Sequence, residues 1–296
     1  MRVFVTGASG FIGSAVVPEL LRAGHRVLGL ARSDKSAQAL AAAGSEVLRG
    51  DLNDPESLRA GAVESEGVIH LGFIHDFDNF AASVQTDHRA IQTMATALEG
   101  SGRPLVIASG TALVSPGQLA TEDMPFTAQH PRSANQVMAL GFAERGVRVS
   151  FVRLAPTVHG EGDHGFVAVL VRIAREKGVS GYVGDGKNRW NAVHRLDAAP
   201  LFRLALDKAP AGAMLHAVGE EGIPTRQIAE RIGAKLGLPA ASIAAEAAGA
   251  HFGWLAGFFA GDLPASSKLT RERMCWTPTH AGLLEDLEAG YYTESA

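Results

Sequence analysis

The run Val3-Phe4-Val5-Thr6-Gly7-Ala8-Ser9-Gly10-Phe11-Ile12-Gly13 constrains this chain more than any other, because it spells a strand, a turn and a helix start in sequence. Residues 2–5 are apolar, β-branched and aromatic, which predicts a short buried strand. Gly7, Gly10 and Gly13 follow at the spacing G-x-x-G-x-x-G. Such a turn asks for positive φ, and a pyrophosphate can approach the backbone only where no Cβ stands in the way. A helix starting near Phe11 would aim its free N–H groups and the positive end of its dipole at that phosphate. Glycines alone would say little; a strand before them and a helix after them supply the context the motif needs.

The pattern continues. Phe11, Ile12, Ala15, Val16, Leu20 and Leu21 recur at helical spacing, and Gly24 closes the helix. Pro18 falls in its second turn, a local distortion that removes one hydrogen bond. Residues 26–31 form a second apolar strand and complete a βαβ unit. The end of that strand bears on the cofactor. Enzymes for NAD usually place Asp or Glu there, to accept from the ribose 2′-OH. This chain has Ala31-Arg32-Ser33. Arg32 can pair with a 2′-phosphate and Ser33 can hydrogen-bond it, so NADP is expected in preference to NAD. The plainer alternative makes Arg32 a solvated loop residue.

Further strands are expected at 46–48, 67–71, 104–108 and 147–154, separated by helices near 36–43, 54–62, 84–100 and 134–145. This alternation predicts an α/β fold, a Rossmann-type doubly wound parallel sheet with helices on both faces. After Pro156 the pattern loosens, with helices expected at 166–177, 225–236 and 282–289. The plan is a dinucleotide-binding domain over residues 1–155 and a smaller substrate-binding portion over 156–296, free to lend strands or helices back to the first.

Bulk properties exclude several classes. The net charge of −4, with no Lys/Arg cluster, argues against nucleic acid. Cys275 is the only cysteine, which rules out an intrachain disulfide and fits a reducing cytoplasm. The chain opens directly into its first strand, so no signal peptide is expected. Residues 247–261 are the most apolar late stretch, but they fall short of the ~20 residues that span a bilayer. They fit either a buried helix or a lid over a substrate cleft. The expected partner is a small-molecule substrate, with neither nucleic acid nor membrane, and the chain a monomer or homodimer.

With these residues in place, the chain resembles the extended short-chain dehydrogenase/reductase family, including its NAD-dependent epimerase/dehydratase group, over nearly its whole length. Thr6-Gly7-x-x-Gly10-x-x-Gly13 matches that family's nucleotide motif. Arg49-Gly50-Asp51-Leu52 is similar to its adenine-contacting turn, and Val68-Ile69-His70-Leu71 to the strand beside the nicotinamide ribose. Val152-Arg153-Leu154 through Val158-His159-Gly160, Val193-His194-Arg195-Leu196-Asp197-Ala198-Ala199 and residues 269–278 resemble its later markers. The resemblance and the motif together assign cofactor contacts to Thr6, Gly7, Ser9, Gly10, Phe11, Ile12, Gly13, Arg32, Ser33, Asp51, Leu52, Leu71 and Gly72.

At the catalytic pair the chain departs from the family. Its reductases and epimerases use Tyr-x-x-x-Lys, the lysine lowering the tyrosine's pKa so that it can shuttle a proton at neutral pH. The three tyrosines here are Tyr182, Tyr291 and Tyr292, none within 120–145. Counting back from Arg145-Gly146-Val147 puts Arg132 at the lysine position and Ala128 at the tyrosine position. Ser109 and Thr111 stand where the family keeps a hydroxyl on the substrate oxygen, though Ser109 could equally cap backbone groups at a strand end. Histidine titrates near neutral pH, so His75, His130 and His159 near the expected cleft mouth are replacement acids, with His164 further on. His75 leads, because the loop after the fourth strand lies at the carboxyl ends of the strands. Arg132 could stabilise developing negative charge. The catalytic candidates are therefore Ser109, Thr111, His75 and Arg132. The spacing within 158–164 matches no common zinc or calcium pattern, and no metal is expected. Ser109 lacks the G-x-S-x-G setting of a hydrolase nucleophile. Trp190 is expected to pack, and Asn191 to contact substrate or loop.

The leading expectation is an NADP-dependent oxidoreductase acting on a small carbonyl, hydroxyl or activated alkene without the Tyr/Lys relay. The alternatives are a non-catalytic NADP(H) sensor and an epimerase or dehydratase.

Overall fold

A computed structural model of the chain describes residues 1–127 and 130–292. Strands and helices alternate from the start: β1 (Arg2–Thr6), α1 (Gly13–Arg22), β2 (Arg26–Ala31), α2 (Asp34–Ala42), β3 (Glu46–Arg49), α3 (Pro55–Val63), β4 (Gly67–His70), α4 (Phe80–Ala97), β5 (Pro104–Gly110), α5 (Ser133–Leu140) and β6 (Arg148–Leu154). Ser33 caps α2 by accepting from the Ser36 N–H, and Asp54 caps α3 just before Pro55. Helix α5 ends earlier than the expected 134–145. From Gly141 onward each N–H reaches only three residues back, Gly141 to Met138, Phe142 to Ala139 and Ala143 to Leu140, so the α-helix gives way to tight turns.

The remaining elements are β7 (Thr157–His159), α6 (Phe166–Lys177), β8 (Ser180–Val183), β9 (Arg189–His194), α7 (Arg195–Lys208), β10 (Ala213–Ala217), β11 (Glu220–Pro224), α8 (Thr225–Leu236), β12 (Ala240–Ile243), α9 (Ala248–Phe252), α10 (Ala256–Phe259), α11 (Lys268–Met274) and α12 (Leu283–Ala289). Seven strands form one sheet in the order β3-β2-β1-β4-β5-β6-β10, and every neighbouring pair is parallel. The order reverses between β1 and β4, and a crevice opens there above the carboxyl ends.

Residues alternate between the two faces of each strand. On β1, Val3 and Val5 pack with Val16, Leu20, Phe202 and Leu206 of α1 and α7, while Phe4 packs with Leu58, Ile91 and Met94 of α3 and α4. Strand β10 and helix α7, both beyond residue 155, thus complete the sheet and one helical layer. A third core gathers Leu170, Trp190, Ile228, Phe252, Phe259 and Leu283 around two small sheets, β11-β9-β7 and β12-β8. Residues 247–261 seal it: Phe252, Leu255 and Phe259 are buried, while Trp254 stays 46% exposed. No helix among the described residues is long and apolar enough to cross a membrane.

Candidate active site

The turn after β1 is fitted tightly to its surroundings. Gly7 has φ +66, and a Cβ there would lie 2.7 Å from the Gly72 nitrogen. A Cβ on Gly13 would lie 2.1 Å from the Gly7 carbonyl oxygen. Gly10 differs: it is exposed, and its Cβ would meet only that same oxygen at 3.2 Å. The glycines at 7 and 13 fold the turn, while the one at 10 keeps its outer surface bare. No side chain caps the N-terminus of α1; the Ser14 and Ala15 N–H groups already donate to the Gly10 and Ile12 carbonyls, so an anion would be met by the N–H groups ahead of them. Ser9 is exposed beside them, and Phe11 and Ile12 are half-buried. Arg195, unassigned from the sequence, adds a cation here: Nη1 donates to Ser14 Oγ at 3.3 Å, and the guanidinium lies 5.1 Å from the Phe11 ring centre.

Around the far end of the crevice, Asp51 accepts from the backbone and side chain of Asn53. Leu52 reaches over Gly72, where a Cβ would lie 3.0 Å from Cδ2. Arg32 is 77% exposed, with Nε 3.8 Å from Asp51 Oδ2. Ser33 is committed to capping α2, which puts its hydroxyl at that helix's N-terminus. Leu71 is pinned to β1 through its N–H on the Thr6 carbonyl.

Beneath the crevice runs a buried polar chain. Thr6 Oγ1 accepts from the Gly72 N–H at 3.1 Å and lies 2.7 Å from His70 Nδ1. His70 Nε2 faces Asp87 Oδ1 at 3.3 Å. Asn135 Nδ2 donates to Asp87 Oδ2 at 2.8 Å, and Arg132 Nε lies 3.8 Å from the same oxygen. A neutral His70 donating from Nε2 must accept at Nδ1, so Thr6 donates to it and every link is satisfied. Burial pushes the Asp87 carboxyl up, but His70, the Arg132 charge and Asn135 outweigh it and hold the group below the ordinary carboxylate range. The sequence signal was available: Asp87 interrupts the buried stripe Val84, Ile91 and Met94 on α4.

Arg132 is the pivot between this chain and the open cleft. Its guanidinium lies 4.0 Å from the Phe73 ring centre, and its buried Nε has no hydrogen-bond partner. His75 is solvent-exposed, with its ring packed among Phe73 and Phe77. Crowding there, with the charges of Arg132 and His164, pushes its imidazolium below the usual range. Burial and Arg132 do the same to His130. Ser109 ends β5 with a buried Oγ that lacks a partner. Thr111 is tied up instead: Asn191 Nδ2 donates to its Oγ1 at 3.1 Å, and the hydroxyl lies 3.3 Å from the Leu154 carbonyl. Asn191 itself is fully buried, and Trp190 packs in the C-terminal core.

His159 does not stand at the cleft mouth. It is buried, its Nδ1 bonds to Asp286 on α12, and it lines a separate cavity of about 340 Å³ with His194, His280 and Glu220. The reason is strand pairing: β7 pairs with β9, which places His159 beside His194 and against Asp286 of α12. Tyr182 lies in β8 of the two-stranded sheet, and Tyr292 donates to Asp163 Oδ2 at 2.7 Å. Ala128 lies outside the described residues.

Residues 3–217 match the sequence pattern of the NAD dependent epimerase/dehydratase family. The chain belongs to that family. Its members are NAD(P)-dependent oxidoreductases, epimerases and dehydratases, and the chain is an enzyme of this kind. An uncharacterized protein of Schizosaccharomyces pombe is 48% identical, over 99% of this chain and 100% of its own length. The 2-alkyl-3-oxoalkanoate reductase of Stenotrophomonas maltophilia is 28% identical, over 81% of this chain and 77% of its own. Among solved structures, the Thermus thermophilus UDP-glucose 4-epimerase in complex with NAD superposes with a TM-score of 0.76 at 21% identity, over 100% of both chains. Arg132 is linked to the glycine turn through Asp87, His70 and Thr6.

Proposed function

We propose that the chain is an NADP-dependent oxidoreductase that moves a hydride between nicotinamide and a small carbonyl, hydroxyl or activated alkene, without a Tyr/Lys relay. The observation that carries this reading is Arg132, a guanidinium held by Asp87 at 3.8 Å and lying against Phe73, at the position where counting back from Arg145-Gly146-Val147 puts the relay lysine.

The residues present fit the cofactor. Gly7, Ser9, Gly10, Phe11 and Ile12 would hold the pyrophosphate at the uncapped α1 terminus, while Thr6 and Gly13, expected to contact it, are buried and shape the turn beneath it. Asp51 and Leu52 would flank the adenine, and Leu71 and Gly72 the nicotinamide ribose. Arg32 and the Ser33 hydroxyl would take a 2′-phosphate at the start of α2, where no acidic residue follows β2 directly. When bound, NADP supplies or accepts the hydride.

The chain's own groups then orient substrate and manage charge. Arg132 presents a fixed cation to an oxygen that gains negative charge, and Asp87 holds that cation in place. Crowding and the charges of Arg132 and His164 disfavour the His75 imidazolium, so this reading takes the proton from solvent. Ser109 offers a free hydroxyl, whereas Thr111 is committed to Leu154 and Asn191 and positions the β5 end. Residues 156–296 supply the far wall of the cleft as the substrate-binding portion.

Purified protein is incubated with NADPH and a panel of aldehydes, ketones and enones, and the absorbance of reduced nicotinamide is followed. Oxidation of NADPH linked to product supports the reading. Tight NADPH binding with no turnover would leave a sensor, and turnover with no net change in absorbance an epimerase or dehydratase.

A further inference from the structure

Two segments far apart in sequence, the loop after β4 and the turn at 253–255, meet through their aromatic side chains. Phe77, between β4 and α4, stacks on Trp254 with ring centres 4.0 Å apart and planes 10° apart. Trp254 is not there to fill the C-terminal core. Its neighbours Phe252, Leu255 and Phe259 do that, and leave it 46% exposed. Phe166, at the start of α6, tilts against both rings, 6.3 Å from Phe77 and 5.9 Å from Trp254. On the other side, Phe80 lies parallel to Phe77 at 6.2 Å, and Phe73 follows at 6.0 Å. Phe73 in turn carries the Arg132 guanidinium on its face. A continuous band of π faces therefore runs from the exposed indole to the Arg132 guanidinium, which Asp87 holds from behind at 3.8 Å.

We propose that this site takes planar, unsaturated carbonyl compounds, their π system laid against the Phe77–Trp254 roof and their carbonyl end directed along the band toward Arg132. The proposal rests on the functional reading above and names its substrate class. Flat π systems stack offset or edge-to-face on such walls and gain beyond their buried area, whereas a puckered ring of the same size gains only burial. Aliphatic walls would not discriminate between the two.

Trp190 and Trp276 are buried, so quenching of tryptophan emission by acrylamide reports on Trp254. Benzaldehyde and cyclohexanecarbaldehyde share a carbon skeleton and differ in planarity. Benzaldehyde should protect Trp254 from acrylamide and bind about tenfold tighter than cyclohexanecarbaldehyde, with or without NADP present. Phe77→Leu should abolish that preference, measured by competition against NADPH-loaded protein. Trp254→Leu should do the same, and Trp254→Phe should retain it, with thermal melts confirming that each variant is folded. Equal binding of the two aldehydes, or a preference that survives both leucine variants, overturns the proposal. If the preference holds while neither aldehyde is reduced, the cleft assignment stands and the oxidoreductase reading falls. If both are reduced with equal affinity, the reverse is true.

Discussion

His70 and Asp87 face each other 3.3 Å apart, each about 2% exposed, and join strand β4 to helix α4 beneath the crevice. The pair reaches the glycine turn through Thr6 and the cleft through Arg132. Removing one partner strands a buried polar group, so Asp87→Ala should cost roughly 3–5 kcal/mol in denaturant unfolding. Asp87→Asn should cost less, since an amide oxygen can still accept from His70. The carboxyl's pKa is lowered in the fold, so its contribution is present above the ordinary carboxylate value and is lost as pH falls through the folded one. The gap between wild type and Asp87→Ala should therefore narrow in acid. A gap independent of pH would contradict an ionised Asp87.

The glycine turn separates folding from binding. Gly13→Ala puts a Cβ 2.1 Å from a backbone oxygen that has nowhere to go, and should yield little folded protein. Gly10→Ala meets only a 3.2 Å contact and should keep nearly the wild-type melting temperature. Its methyl would stand where the pyrophosphate must approach, so NADPH affinity should fall by about tenfold or more. Circular dichroism melts and a fluorescence titration of NADPH read the two effects apart.

Cofactor choice turns on Arg32. A charge-assisted hydrogen bond is worth about 1.5–3 kcal/mol, so Arg32→Ala should weaken NADPH by roughly 10- to 100-fold while leaving NADH unchanged. Equal dissociation constants for NADPH and NADH in the wild-type protein would remove the basis for the assignment. Arg32 lies only 3.8 Å from Asp51, so Asp51→Asn should tighten NADPH by freeing the guanidinium.

At the cleft, Arg132→Ala should lower kcat/KM by about 100- to 1000-fold if the guanidinium stabilises an oxyanion, with Arg132→Lys intermediate. The same change should let the His75 imidazolium form more readily, because one of the charges that disfavours it is gone. An NMR titration of His75 in the variant should show its pKa rising toward the usual value. His75→Ala should leave the neutral-pH rate within a few-fold of wild type, since the neutral ring is not the proton source there.

The strands and helices around the crevice were legible because each follows from local pattern: apolar runs of β-branched residues, glycine spacing, and caps at Ser33 and Asp54. Long-range contact was not legible. Strand β10 joins the sheet beside β6 across some sixty intervening residues, and no periodicity announces that partner. His159 shows the same limit: its position after β6 suggested the cleft, but pairing of β7 with β9 turned it toward Asp286, which is 127 residues away in sequence. The aromatic roof escaped for the same reason, because Phe77 and Trp254 belong to separate loops. Asp87 could have been found, since a carboxylate in an apolar helical stripe needs a buried partner.

Acid stability depends on a pair outside the site. Arg153 is fully buried on β6, with Nη1 3.3 Å from His216 Nε2 and the face of Phe126 4.2 Å away. His216 donates from Nδ1 to the Ser266 carbonyl at 2.8 Å, so its Nε2 must accept from the guanidinium and the ring must be neutral. Burial, reinforced by the Arg153 charge, pushes its pKa down to about 3. In the unfolded chain the ring protonates near 6.5, so the unfolded state binds the extra proton first as pH falls. The stability contributed by the neutral ring is complete above that value and drains away between roughly pH 6.5 and 3, by about 5 kcal/mol at most. His216→Gln keeps a donor and an acceptor but cannot titrate. Urea unfolding at pH 7 and pH 4.5 should show a smaller loss for this variant than for wild type. Equal losses would mean that His216 is not the group whose protonation opens the fold.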